Sequence, residues 1–317
     1  MKSISELKGL YETSLKGKLE GLEDQRKDIV KTGLIHGGIT LAVAALGLFL
    51  SSPPLAIGAL IVGLIILAIR VYKKMEAYRL TYKNQVVAEV IRLIDDSWSY
   101  SSEACIPKAD YLCAHIYTNR VDRYSGDDYV KGTIDKTDFE FSELHSEYKT
   151  TSTDSKGNRK TQWHTIFKGL FFHADFNKEI KGETFVLPDT AEKLFGKFGQ
   201  RFQKMSSKGK LIKLENQEFE KEFVVYGSEQ IEPRYILTPM IMEAMVNLKK
   251  QYKHNMSFSF VGSRVFCAIS IQKNMFEPAI FRSGVRFEDI EEIHSYFEVI
   301  RILIQELNLN TRIWTKE

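Results

Sequence analysis

The chain has 317 residues, with 44 basic and 41 acidic side chains and a formal net charge of +3. A balance so near neutral argues against a protein built around the phosphate backbone of nucleic acid, and 44% hydrophobic residues exclude a disordered tail. No charged side chain falls between Thr32 and Ile69, and that gap excludes a simple soluble globule.

Ile4, Leu7, Tyr11, Leu15, Leu19 and Leu22 recur at helical spacing and predict an amphipathic stalk helix within residues 1–31. Gly33 to Leu50 is an apolar run interrupted only by His36 and Thr40, and Leu55 to Ile69 is a second. Ser51-Ser52-Pro53-Pro54 breaks the helix between them, so residues 32–72 read as a transmembrane helical hairpin. At roughly 1.5 Å per residue the runs reach about 27 and 23 Å, slightly under the hydrocarbon core of about 30 Å. The alternative is a hairpin buried in a soluble assembly or inserted in one leaflet. A signal peptide fits poorly, because a long charged and polar stretch precedes the first run.

Arg26, Lys27 and Lys31 precede the hairpin, Arg70, Lys73 and Lys74 follow it, and the intervening loop is uncharged. The positive-inside rule then places both termini on the cytoplasmic face. Gly33, Gly37, Gly38, Ala42, Ala45, Gly58, Ala59 and Gly63 supply the small residues that close helix packing requires, within one hairpin or between copies. His36 reads as a solvated histidine or, less simply, as a proton site. Tyr72, Met75, Tyr78, Tyr82, Val86, Val90 and Leu93 form a second stripe over 73–97, predicting an antiparallel two-helix stalk closed by Asp95-Asp96-Ser97.

Residues 101–317 read as a cytoplasmic α+β domain, an antiparallel sheet flanked by helices, with a subdomain division near 204–210. A short helix is expected around Pro107 to Thr118, then strands over Tyr129–Ile134, Asp138–Lys149, Lys160–Phe176 and Thr184–Leu187. The two long strands should form a hairpin across a polar turn from Thr150 to Arg159. Asp189 with Glu192 has capping-box spacing and predicts a helix to Lys204. Strands at Leu211–Leu214 and Phe219–Tyr226 follow, then a helix from Thr238-Pro239 to Tyr252. A hairpin of Met256–Val261 and Arg264–Ile271 comes next, and last a helix with Phe287, Ile290, Ile293, Phe297, Ile300, Ile304 and Leu307 on one face.

Walker, Rossmann and nucleophile-elbow motifs are all missing. His173 and Asp175 share a strand face and would make a base with its orienter, but spacing ties no nucleophile to them. Glu140, Glu143 and Glu147 should meet Lys160 or Lys168 across the hairpin as ordinary cross-strand pairs. Glu232-Pro233-Arg234 reads as a loop tie, or an arginine for a partner's carboxylate or phosphate. Lys197, Arg201, Lys204, Lys208, Lys210 and Lys213 form the strongest basic cluster, suited to anionic head groups or an acidic partner, or simply solvated. No aromatic platform is interleaved with them, so nucleic acid is not expected. Met240, Met242 and Met245 read as core fill with one adaptable contact. The odd set Cys105, Cys113 and Cys267 points to a reducing compartment, and Cys113-Ala114-His115 lacks the spacing of a metal site. No catalytic, cofactor-binding or metal-ligating residue is assigned.

Gly169-Leu170-Phe171-Phe172-His173-Ala174-Asp175-Phe176-Asn177-Lys178, continuing to Thr184-Phe185-Val186-Leu187-Pro188-Asp189, is one recognisable stretch. Phe219 to Tyr226 followed by Arg234-Tyr235-Ile236-Leu237-Thr238-Pro239 is another, and Leu307-Asn308-Leu309-Asn310 closes the chain similarly. Together with the apolar hairpin they resemble a bacterial membrane-protein family known only as domain of unknown function thirty-one thirty-seven. The resemblance implies a bacterial inner-membrane protein with a cytoplasmic domain, working near LemA-type membrane proteins, and it carries over no catalytic residues. Glu232-Pro233-Arg234 stands where that family suggests Glu-Ala-Arg. The expected function is a non-enzymatic, membrane-anchored interaction or scaffold module that binds a protein or anionic lipid head groups, its partners being membrane lipids and either another protein or a second copy joined through the hairpin. The alternatives are a membrane-tethered enzyme using His173 and Asp175, and a transporter or channel subunit.

Overall fold

The computed structural model describes residues 3–50, 52–134, 136–153, 157–175, 180–189, 209–282 and 286–311. Ser3 begins the first helix with a capping box, its hydroxyl accepting from Glu6 N while the Glu6 carboxylate accepts from Ser3 N. α1 (Ile4–Leu10) passes through a π turn (Tyr11–Leu15) into α2 (Lys16–Phe49). Pro53, preset for a first helical turn, starts α3 (Pro53–Tyr82), which a second π turn (Lys83–Val87) joins to α4 (Ala88–Ile94).

These helices form one compact unit, Met1–Asp96, together with Phe276–His294. The stalk is therefore more than two helices: Phe287 lies 5.6 Å from Tyr11, and Ile290 and Ile293 are buried, as are Leu7, Leu22, Tyr78 and Tyr82 of the same unit. Val87, Ile91 and Ile94 are buried beside the expected Val86 and Val90, because the extra residue in the π turn shifts the phase of the stripe. Tyr72 and Met75, expected in the stripe, are exposed.

The second unit, Ser97–Met275 with Ser295–Glu317, holds a nine-stranded antiparallel sheet. Its strands are β1 (Ser99–Ser101), β2 (Arg123–Ile134), β3 (Thr137–Thr153), β4 (Arg159–Asp175), β5 (Glu183–Pro188), β6 (Lys210–Ile212), β7 (Phe223–Gly227), β8 (Asn255–Val261) and β9 (Arg264–Ser270), in the order β1-β2-β3-β4-β9-β8-β5-β7-β6. The fold is α+β, as expected. β5, before residues 204–210, pairs with β7, after them, so both sides of that segment supply one sheet.

The segment between β1 and β2, including α5 (Lys108–Cys113), covers one face. Ile106, Tyr111, Ala114 and Ile116 pack there with Leu144, Phe171, Phe185 and Phe266, and Ser259 Oγ donates to Ala114 O at 2.6 Å. Ring contacts join Phe141 and Trp98 to Phe297 of α9 (Phe287–Thr311) on the other face, where Phe223 meets Phe258. α8 (Pro239–Tyr252) buries Ile241, Met242, Met245, Val246 and Leu248, with Lys249 Nζ 4.8 Å from the Phe223 ring.

Phe219–Tyr226 differs from its expected single strand. Asn216 accepts from Phe219 N at 3.0 Å and caps a short α6 (Gln217–Glu222), and only Phe223 onward is strand. A further helix, α7 (Glu232–Ile236), precedes α8. The helix expected over Asp189 to Lys204 lies outside the described residues beyond Asp189.

Candidate functional site

The charge-free interval folds as two antiparallel helices in contact. An added Cβ on Gly63 would lie 2.4 Å from Thr40 Cγ2, and one on Gly47 would lie 2.8 Å from Ala56 N, so these glycines set the close approach. Gly33, Gly37, Gly38 and Gly58 face open space instead. Thr40 Oγ1 donates to His36 O at 2.8 Å and so leaves no orphan hydroxyl in the apolar stretch. The outward faces are almost wholly apolar and exposed: Leu34 at 72%, Leu41 at 66% and Phe49 at 84%. Both helices are long and apolar enough to cross a membrane.

Charge returns sharply at the base of the hairpin. Lys74 Nζ donates to Asp28 Oδ2 at 2.5 Å and to Thr32 Oγ1 at 2.8 Å, tying the two helices together. Arg70 meets His36 Nε2 at 2.9 Å, and since arginine only donates, His36 presents this nitrogen as acceptor. Arg26 grips Glu23 at 2.6 Å, while Lys27, Lys31 and Lys73 are exposed. The six flanking cations named from the sequence thus lie at the same end of the hairpin.

Register decides the fate of the His173 and Asp175 pair. His173 stands opposite Glu140 on β3, with Nε2 3.3 Å from Glu140 Oε2 in a geometry that makes no hydrogen bond. Asp175 is exposed and accepts from Ser263 Oγ at 3.3 Å, and Arg264 NH1 is held by Asp110 Oδ1 at 2.7 Å. His173 is only 8% exposed, and burial pushes its pKa below the ordinary histidine value, with Arg264 adding to that shift and Glu140 opposing it. A neutral imidazole with a glutamate neighbour replaces the expected His–Asp dyad.

The glutamates of β3 also find other partners than Lys160 or Lys168. Glu140 reaches Lys131 at 3.6 Å, Glu147 pairs with Arg123 at 3.0 Å, and Glu143 accepts from Met275 N at 2.9 Å. Alternation alone does not show which strand lies on β3's other side, and here it is β2. Glu232 accepts from Lys181 N at 2.9 Å and Gly182 N at 2.8 Å, and Arg234 donates to Lys213 O at 3.3 Å, so this tripeptide ties loops together.

The sequence names Glu143 only as a cross-strand partner and does not group it with Asp127 and Asp128. Their carboxylates come within 4.8 Å of one another at the β-bulge of β2, the one such ligand cluster among the described residues. Tyr100 donates to Asp128 at 2.5 Å. Adjacent aspartates in a strand were the only signal, and the third carboxylate arrives through register. The cysteine thiols are unbridged, and burial raises the pKa of Cys105 and Cys267. His115 Nδ1 lies 2.8 Å from Glu183 rather than completing a site with Cys113.

In the basic cluster, Lys210 and Lys213 are exposed, and Lys197, Arg201, Lys204 and Lys208 lie outside the described residues. Met242 and Met245 are core, and Met240 lines a shallow cleft of about 270 Å³ with Glu243, Asn247, Gln251 and Ile302. His173 and Asp175 do not line it.

Residues 165–309 match the family described as "Protein of unknown function (DUF3137)". It is the family that the sequence resembles. The matched span runs from within β4 into α9, and leaves out the apolar hairpin that the resemblance had included. No curated protein matches the chain in sequence. Among solved structures, the crystal structure of the mycobacterial trehalose monomycolate transport factor A, TtfA, aligns over 73% of this chain and 96% of that one, at 7% identity and a TM-score of 0.39. A likeness of that size carries no argument about function.

Proposed function

We propose that the chain is a membrane-anchored interaction module. Its hairpin spans the bilayer, both termini stand on the cytoplasmic face, and the sheet domain binds a protein partner or anionic head groups beneath the membrane. The carrying observation is the exposed aliphatic surface of α2 and α3, bounded at one end by Arg26, Lys27, Lys31, Arg70, Lys73 and Lys74. Side chains like Leu34, Leu41 and Phe49 each gain about 1.5 to 3 kcal/mol on leaving water, and lipid supplies that burial.

Support for binding rather than chemistry comes from the polar groups of the sheet, whose partners are mostly neighbouring strands and loops. Lys210 and Lys213, with the cationic sequence before them, suit an acidic surface. The family resemblance favours a LemA-type membrane protein as partner, and affinity capture from gently solubilised membranes tests that. Topology is tested by protease treatment of oriented vesicles carrying the full chain. Digestion of the C-terminal domain in inside-out vesicles is expected, and its protection there would overturn the reading.

A further inference from the structure

The segment after Met275 belongs to the same compact unit as the hairpin, and two pins fix its place. Glu277 is held from α3 and its π turn, Oε1 lying 3.3 Å from Arg79 NH1 and 3.2 Å from Lys83 Nζ. Ile280 O accepts from Arg26 NH1 of α2 at 2.9 Å. At roughly 1.5 Å rise per residue, the backbone of Arg26 lies about 10 Å before Gly33, where the apolar run begins. Ile280, bonded to Arg26, one of the six cations that flank the apolar hairpin, is thereby held beside the cationic collar.

Phe281 is the next residue and so stands next to the collar. Phe281 is 95% exposed, more than any other large hydrophobic side chain described, and Arg282 beside it is exposed too. Tyr72, just past Arg70 on α3, is likewise exposed. A bare aromatic ring next to arginine is poorly placed in water but well matched to the boundary between head groups and acyl chains, where aromatic side chains collect and cations meet anionic lipid.

We propose that Phe281 is a third membrane contact, a ring seated in the cytoplasmic-leaflet interface beside the hairpin, with Arg282 meeting lipid phosphate. The inference rests on the anchoring reading above. It makes the loop after β9 part of the anchor, although it lies more than two hundred residues from the hairpin in sequence.

The test reconstitutes the full chain in phosphatidylethanolamine and phosphatidylglycerol vesicles. Phe281→Trp and Leu41→Trp are made separately in a Trp163→Phe, Trp314→Phe background, which keeps only the buried Trp98. Lipids carrying a nitroxide near the head group or near the chain end act as quenchers. The shallow label is expected to quench the tryptophan introduced at position 281 severalfold more than the deep label does, and position 41 should show the reverse preference. Quenching at position 41 with none at 281 overturns the inference and leaves the anchoring reading intact. Quenching at neither overturns both. A blue-shifted but unquenched signal at 281 means that protein covers the ring, and also overturns the inference.

Discussion

Gly169 offers the sharpest test of how the sheet is assembled. It sits in the buried part of β4 with φ +144°, and an added Cβ would lie 2.1 Å from Ile269 O and 2.6 Å from Ile271 N, in and just past the neighbouring strand β9. Two costs therefore add in Gly169→Ala. The backbone conformation is nearly closed to residues with a Cβ, at about 1 to 3 kcal/mol. Relieving the clash also pulls β4 from the end of β9, loosening the bond from Ile271 N to Lys168 O, 3.0 Å long, beside the Gly169–Ser270 pair. Each such bond contributes about 1 kcal/mol net, so the total is about 3 kcal/mol. Gly157→Ala is the control: Gly157 has φ +84° but nothing within 4 Å of an added Cβ. Only the backbone cost applies there, about 1 to 2 kcal/mol. Urea unfolding of the full chain in detergent micelles, followed by far-ultraviolet circular dichroism, should show a clearly larger fall in midpoint for Gly169→Ala at unchanged slope. Equal falls for the two variants would refute the claim that crowding by Ile269 makes glycine necessary at position 169.

Thr184 Oγ1 is fully buried without a hydrogen-bond partner among the described residues, so Thr184→Val should raise the unfolding free energy by about 1 kcal/mol, read from the same urea midpoints. His173 has a folded-state pKa below its unfolded value of about 6.5, so the stability it contributes is present above that pH and is lost as pH falls through it toward the lowered folded value. His254 is shifted the same way by burial and by Lys273, so the decline between neutral and mildly acid pH should be shallower in His173→Phe without vanishing; an unchanged slope counts against the buried neutral imidazole. Asn216→Ala removes the cap on Phe219 N and should cost about 1 kcal/mol, with faster amide exchange in Gln217–Glu222 as the local readout.

The parts of the fold legible in sequence are those that a local period writes. The alternation in β3 and β4, the Thr238-Pro239 start of α8 and the apolar face of α9 all appear close to their expected places. β1 escaped because its three residues are held as strand only by their pairing to β2. Phe219 reads as strand in the sequence because it leads into the aromatic and β-branched run from Phe223 to Tyr226, yet the capping bond from Asn216 and the packing of its ring on Phe223, four residues on, favour a helical turn. In the stalk, the π turns changed which residues face inward, a phase shift that a fixed helical repeat does not anticipate.

By itself, the sequence determined where charge can and cannot sit. An interval without a single ionisable acid or strong base, ended on both sides by cations, describes its own surroundings, since no neighbour is needed to make a leucine apolar or a lysine costly in hydrocarbon. Which carboxylate faces His173, why Gly63 must be small beside Thr40, and how Phe281 comes to stand near the collar were settled only by tertiary structure. Each depends on register between segments far apart in the chain, and a pattern with period two or 3.6 specifies a face without specifying which residue lies opposite.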